Sequence, residues 1–334
     1  MQPPAPRGPL SERVLAALAS PPPAPRLAVT VPEPAQPLAD DDFQLALFVL
    51  YELHYAGIEG VDDRWEWSSP LLALRGELEA IFVDAVRMAA GPIDAPAPAA
   101  MPAWLAALEA ADDGPSLSRW LARHGALAEF REFAIHRSIY QLREGDPHTW
   151  AIPRLAGRAK AALIEIQCEE YGFGRPGRLH SDLFGATLRA LGLRDEPGAY
   201  VDAVGAPTLA AHNLMSLFGL HRRWRGAAIG HLAFYEMTSA LPMRRYAETL
   251  RRLDVGPEAT RFYDQHVLAD AVHEQVGVHD MAGGLALAEP DLVPDICLGA
   301  AALAAAERAL AADLIGAWEA GASSLRADQV VPAA

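Results

Sequence analysis

Three residues in one short stretch have side chains that bind metals. His266, Asp270 and His273 follow one another at intervals of four and three in Phe262-Tyr-Asp-Gln-His-Val-Leu-Ala-Asp-Ala-Val-His-Glu-Gln-Val276, which contains neither glycine nor proline. At about 100° per helical residue these steps return a side chain to nearly the same face. Two imidazoles and a carboxylate would then point one way, with Phe262, Val267, Val272 and Val276 around them. Taken alone, the triple is also what a polar helix face gives by repetition. A metal would need further ligands from other segments.

Four residues stand out as those partners. Glu144 closes a helical stretch in Tyr140-Gln-Leu-Arg-Glu-Gly-Asp-Pro-His148; Glu170 lies in Ile164-Glu-Ile-Gln-Cys-Glu-Glu-Tyr-Gly172; His180 opens the next helix; Glu236 sits in the apolar His231-Leu-Ala-Phe-Tyr-Glu-Met237. Glu236 is the most informative, because glutamate is rarely buried unless paired or bound to a metal. Its alternative reading is a buried acid hydrogen-bonded to Arg223 or Arg225. Glu144 and Glu170 read alone are surface acids, and His180 alone is a helix-start histidine. Together, Glu144, Glu170, Glu236, Asp270, His180, His266 and His273 make the inventory of a carboxylate-bridged dinuclear iron site. Carboxylate oxygens suit hard iron ions, one carboxylate can bridge two of them, and neutral imidazoles add ligands without charge. Zinc would need fewer ligands in a tetrahedral set.

The elements that must carry these residues are helical throughout. Asp40-Asp41-Asp42 supplies N-terminal acids for a helix over 43–55, and Ser69-Pro70 opens one to about Met88. Short helices are expected at 103–111 and 116–124, and longer ones at 126–143 and from Pro153 to Tyr171. Others follow at 179–191, 208–222, 225–240, 243–253, 258–282 and 291–320, with joints at Gly192, Pro207, Pro242, Gly256-Pro257 and Pro290. No alternating β pattern of useful length occurs, so the fold class is all-α. Residues 1–40 hold 11 of the 27 prolines and read as an extended or disordered arm with one short helix over Ser11–Ala19. Residues 41–125 read as N-terminal helices packed on the core or on a dimer partner, 126–320 as the core, and 321–334 as a tail.

Composition narrows the function. The 334 residues carry a net charge of −15, which argues against nucleic acid, since affinity for phosphates comes from Lys and Arg. Two cysteines, Cys168 and Cys297, exclude a disulfide framework and favour a reducing cytoplasmic compartment. The most apolar run, Ile296–Trp318, is interrupted by Glu307, Arg308 and Asp313, and no signal peptide is expected. Gly172-x-Gly174-x-x-Gly177 imitates a dinucleotide fingerprint but follows a helix and contains Pro176. Glu52 and His54 are two apart and diverge on a helix, which suits structural roles. His273-Glu-Gln-Val-Gly277 lacks the second histidine of a zinc protease. The Arg222-Arg223-Trp-Arg225 cluster reads as a solvated face or as partners for buried acids.

The segments 140–148, Ile152-Pro-Arg-Leu-Ala-Gly157, Ala161-Ala-Leu-Ile-Glu-Ile-Gln167, Glu170-Tyr-Gly172 and His266-Val-Leu-Ala-Asp-Ala-Val-His273 resemble the haem-oxygenase-like diiron oxidases and oxygenases, and among them the N-oxygenating members. Asn213-Leu-Met-Ser216 and Arg225-Gly-Ala-Ala-Ile-Gly-His-Leu232 share the likeness, which covers about 43–320. The resemblance implies a haem-oxygenase-like helical bundle with added N-terminal helices. It also implies that Glu144, Glu170, His180, His266, Asp270 and His273 bind two irons, with Glu236 as a further, catalytic carboxylate. Gly145 and Glu169 depart from the family pattern without removing a ligand. A cupin domain that completes nitrosourea formation in some members is not expected here. The implied activity is O2-dependent N-oxygenation of a small amine, guanidine or amino-heterocycle, by a homodimer. Without a flavin- or nicotinamide-binding pattern, electrons would come from a separate reductase or reductant. The same scaffold also supports C–C cleavage, decarboxylation or desaturation of an amino or fatty acid, and a metal- or ligand-binding protein without turnover. Haem would need one axial histidine and would leave the carboxylates unexplained.

Overall fold

The computed structural model describes residues 1–22, 31 and 34–326, without the side chains of 268–272. The described residues form helices and connecting turns, with no strand among them. In chain order the helices are α1 (Pro9–Leu18), α2 (Asp41–Glu52), α3 (Ser69–Ala90), α4 (Met101–Ala110), α5 (Leu117–His124), α6 (Leu127–Gln141), α7 (Asp146–Thr149), α8 (Gly157–Glu170), α9 (His180–Ala190), α10 (Ala206–Leu220), α11 (Arg225–Arg252), α12 (Pro257–Gln275), α13 (Gly283–Ala288) and α14 (Val293–Glu319). None of the described helices is long and apolar enough to cross a membrane.

α11 is the axis of the bundle. It packs along α12 on one side and α14 on the other, while α9 lies against α12, and α2 and α14 against α10. Small residues set the α11–α14 approach. A Cβ at Gly230 would overlap the Ile296 carbonyl oxygen, and one at Gly299 would overlap that of Ala227. The two backbones therefore touch where glycine stands on both helices, a spacing no larger residue permits.

The N-terminal helices share this core. From Phe43 to Glu52 every residue of α2 is buried, and one apolar cluster runs from Leu10 and Phe48 to Phe133, Phe262 and Trp318. The Asp40 side chain caps α2 by accepting from the Phe43 amide at 2.8 Å.

Three sequence expectations change. Residues 1–22 are no free arm: α1 buries Leu10, Val14 and Leu18, Asp42 caps it through the amides of Leu10 and Ser11, and the Met1 amino group donates to Gly57 O at 2.9 Å. The rest of that arm, 23–30 and 32–33, and the tail beyond 326 lie outside the described residues. Pro242 does not break a helix, since α11 passes through it. The lost bond and ring clash cost about 3 kcal/mol, and buried Met237, Met243, Tyr246 and Leu250 on either side hold the helix together. The helix expected over 258–282 stops being α-helical at Gln275. Residues Val276–Ala282 widen into a π-helical segment whose Gly277 lies against Ala233 and Glu236 of α11.

Gly230→Ala reverses the usual helix rule. Propensity alone would favour alanine by about 1 kcal/mol; overpacking against α14 is expected to destabilise the protein by about 3 kcal/mol instead. The urea midpoint would register the loss, and a stabilised variant would mean that the helices do not meet at this glycine.

Candidate metal centre

Five segments converge behind α11. Glu144 stands in the turn between α6 and α7, Glu170 is the last residue of α8, and His180 the first of α9; Glu236 comes from the middle of α11, and His266 and His273 from α12. All six are buried, between 1% and 6% exposed. Asp270 lies on α12 between the two histidines, and its side chain is outside the described residues.

The six side chains form two overlapping groups. Potential ligand atoms of Glu144, Glu170, His180 and His266 lie within 4.8 Å of one another, and so do those of Glu170, Glu236 and His273. Glu170 belongs to both. A carboxylate has two oxygens, so one residue in both groups has the chemistry of a bridge between two ions.

Individual contacts fit that role. His266 Nδ1 lies 2.9 Å from the Phe262 carbonyl oxygen, so it donates there, and Nε2 faces Glu144 Oε2 at 3.6 Å. His180 Nδ1 is 3.0 Å from Glu170 Oε2, yet the two are not aligned as a hydrogen bond. Among the described residues, His180 Nδ1, Glu144 Oε2 and Glu170 Oε2 are all buried without a hydrogen-bond partner. His273 lies between two acids, with Nδ1 3.2 Å from Glu236 Oε2 and Nε2 2.9 Å from Glu169 Oε2. Among the described residues no Lys or Arg pairs with Glu144, Glu170 or Glu236. Arg225 pairs with Glu289 and Arg223 covers the Trp224 ring, so neither neutralises Glu236.

Electrostatics follow from burial. Desolvation pushes the Glu144 and Glu170 carboxyls above their ordinary values, although His266 opposes it. His180 falls to about 4, from burial and the nearby His266. Burial would also depress His273, but the hydrogen bond to Glu236 and the charges of Glu236, Glu170 and Glu169 hold it up to about 9. Buried acids and imidazoles arranged in this way, with ligand atoms unpaired, fit divalent iron held by oxygen and nitrogen.

Local sequence explains the placement. Gly145 adopts φ 92°, and a Cβ there would meet Gln167 Oε1 at 3.0 Å and Glu170 Cβ at 3.4 Å. Glycine at this departure from the family pattern lets the Glu144 turn lie directly on Glu170. Gln167 secures it by donating to Gly145 O at 3.1 Å. Arg143, beside Glu144, is fixed by Glu52 of α2 at 2.5 Å, with both side chains buried. Glu52 thus belongs to the scaffold, as its diverging spacing from His54 suggests; His54 faces Glu66 and Arg75 instead.

The sequence reading missed several residues. Glu169 figured only as a departure from a pattern, and it contacts His273 directly. Tyr140, His148 and Tyr235 line a cavity of about 10 Å³ beside Glu144, Glu170, Glu236 and His266. Tyr235 and Ser239 also line a cavity of about 300 Å³ between α5, α6, α11 and α14. Each of these residues reads in sequence as ordinary helix interior, and only the fold brings them to one place.

Removing Glu52 tests the scaffold. Glu52→Ala strands a buried guanidinium beside Glu144 and is expected to cost about 3–5 kcal/mol. Chemical denaturation of the metal-free protein would show this, and an unchanged midpoint would mean that Arg143 is not held by Glu52.

Comparison with known proteins agrees with this centre. The profile of a family described as iron-containing redox enzymes, of the haem-oxygenase-like class, matches residues 131–308, more than half of the chain. A nitrosourea synthase of Streptomyces achromogenes subsp. streptozoticus is 24% identical over 159 residues, which cover 47% of this chain and 34% of that one. The match spans about a third of that relative's length. The matched region carries Glu144, Glu170, His180, Glu236, His266 and His273, so the buried cluster and the family description meet in the same residues: the chain belongs to the haem-oxygenase-like iron-containing redox enzymes.

Proposed function

We propose that this protein is a non-haem diiron N-oxygenase. It would use dioxygen to convert a small amine, guanidine or amino-heterocycle into an N-hydroxy, nitroso or nitro product. The observation that carries the reading is the membership of Glu170 in both buried ligand groups. The name of the partly matching relative supports nitrogen as the oxidised atom, because a nitrosourea contains an oxygenated nitrogen.

In this reading Glu144, His180 and His266 would hold one iron and Glu236 and His273 the other, with Glu170 available to both and Asp270 as a further ligand from α12. When bound, two ferrous ions supply electrons and open positions at which dioxygen is reduced. The chain does the rest. His266 is fixed by the Phe262 carbonyl, so its Nε2 stays aimed at Glu144. His273 is set between Glu236 and Glu169 through its two ring nitrogens, and one of these contacts would give way to the metal. Tyr140, Leu232 and Tyr235 crowd the small cavity and limit the water that can enter it. The adjoining 300 Å³ cavity, reached past Tyr235 and Ser239, is large enough for a small organic substrate. Each N-hydroxylation consumes one dioxygen, two electrons and two protons and releases one water. The electrons arrive from a separate reductase or a small-molecule reductant, and a cytoplasmic homodimer is the working form.

Anaerobic ferrous loading followed by oxygen, a reductant and a panel of small amines is the direct test. Two irons per chain and products heavier by one or two oxygens are expected. Glu170→Ala should lose most of the iron from both positions, whereas Glu236→Ala should keep part of it and lose turnover. A single iron in the wild type, or full iron and normal turnover in Glu236→Ala, would sink these assignments. Carbon loss or desaturation in the products would transfer the same centre to a carbon-directed reaction.

A further inference from the structure

Reducing dioxygen requires protons, and the cavity beside the ligands has room for about one water. Two histidines outside the metal groups bear on their delivery. His148, just after α7 begins, and His231 of α11 are 2% and 1% exposed. Their rings lie 5.2 Å apart, and His148 Nε2 meets His231 Nδ1 at 3.2 Å. That contact uses one nitrogen of each ring. The other two, His148 Nδ1 and His231 Nε2, are buried and have no hydrogen-bond partner among the described residues.

The two rings also join two cavities. His148 lines the cavity of about 10 Å³ beside Glu144 and Glu170. His231 lines a second cavity of about 20 Å³, shared with Arg137 and Glu307. A space of this size takes about one water molecule. Glu307 in turn lines the 300 Å³ cavity, pairs with Arg137 at 2.5 Å and keeps a third of its side chain exposed. A carboxylate at the solvent side, room for a water, and two imidazoles therefore lie in series, ending at the metal ligands.

We infer that His231 and His148 relay protons from the Glu307 side of the molecule to the metal-side cavity. The inference rests on the reading of this centre as one that reduces dioxygen. A water in the second cavity gives a proton to His231 Nε2 and regains one from solvent on the Glu307 side; the proton on His231 Nδ1 crosses to His148 Nε2; His148 releases the proton on Nδ1 into the metal-side cavity. One proton enters and one leaves, and both rings exchange tautomers, which must revert before the next transfer. Burial depresses both imidazoles, His148 to about 4, so both rest neutral and each can accept a proton and pass one on.

Hydrogen exchange at the imidazole N–H groups tests this in the metal-free, histidine-labelled protein, where no turnover is needed. In the wild type the His148 N–H should exchange with solvent, and in His231→Phe it should slow by about tenfold or more. Glu307→Gln, at a half-exposed site, should slow it in the same direction and covers the case in which His231→Phe fails to fold. Exchange at His148 that is unaffected in a folded variant overturns the relay. In the iron-loaded protein, His148→Phe should keep full iron yet consume oxygen more slowly and with a larger solvent deuterium isotope effect. Loss of iron in that variant would make His148 a ligand and overturn the relay as well. If the loaded wild type consumes no oxygen, the oxygenase reading fails, while the exchange measurement still decides whether protons pass through these rings.

Discussion

The structure depends on keeping Glu144, Glu170 and Glu236 out of water without a single guanidinium or ammonium partner among the described residues. In an apolar helical interior that arrangement is unfavourable for the polypeptide alone. Three imidazoles lessen the repulsion but cannot complete the coordination of every oxygen, and several ligand atoms remain unsatisfied. Bound cations would resolve the imbalance. The cationic side chains that do lie nearby are already engaged elsewhere: Arg143 by Glu52, Arg137 by Glu307 and Arg225 by Glu289. The acids of the centre are thereby left to the metal.

α11 shows how one helix serves packing and chemistry together. Its glycine face lets α14 approach to backbone contact, which brings Glu307 and the outer cavity close to the centre. Half a turn away, Tyr235 and Glu236 face the cavity beside the ligands. The π-helical segment after α12 lies against the same stretch, with Gly277 beside Ala233 and Glu236. The wider helical turn that begins at Val276 thus packs against the stretch of α11 that carries Glu236.

Much of this was readable in the residues. Helix boundaries followed from caps and prolines, and Glu236 announced itself by standing alone in an apolar run. The spacing of His266 and His273 placed both on one face, as found. What escaped the sequence reading has physical causes. Pro242 is a breaker only if packing does not outweigh one lost bond, and local sequence does not reveal packing. The proline content of residues 1–40 suggested a free arm because the apolar stripe of α1 is short, though Leu10, Val14 and Leu18 find a ready groove. The π segment has no sequence rule as clear as a cap. His148 and His231 are 83 positions apart, and each alone resembles an ordinary core histidine. Their relation exists only in three dimensions.

The placement of the ligands on five separate segments has a consequence for the life of the protein. Metal held by the proposed ligands from Glu144 to His273 would act as a cross-link across most of the family region, closing loops whose ends the polypeptide would otherwise be free to separate. Loading would then be a final folding step, and the chain before loading would be the form most exposed to proteolysis. Unloading would require α9, α11 and α12 to part, so exchange of metal with a cellular pool should be governed by the opening of the bundle. Iron supply would set how much of the protein persists, and a shortage would be felt as loss of the polypeptide as well as loss of its activity.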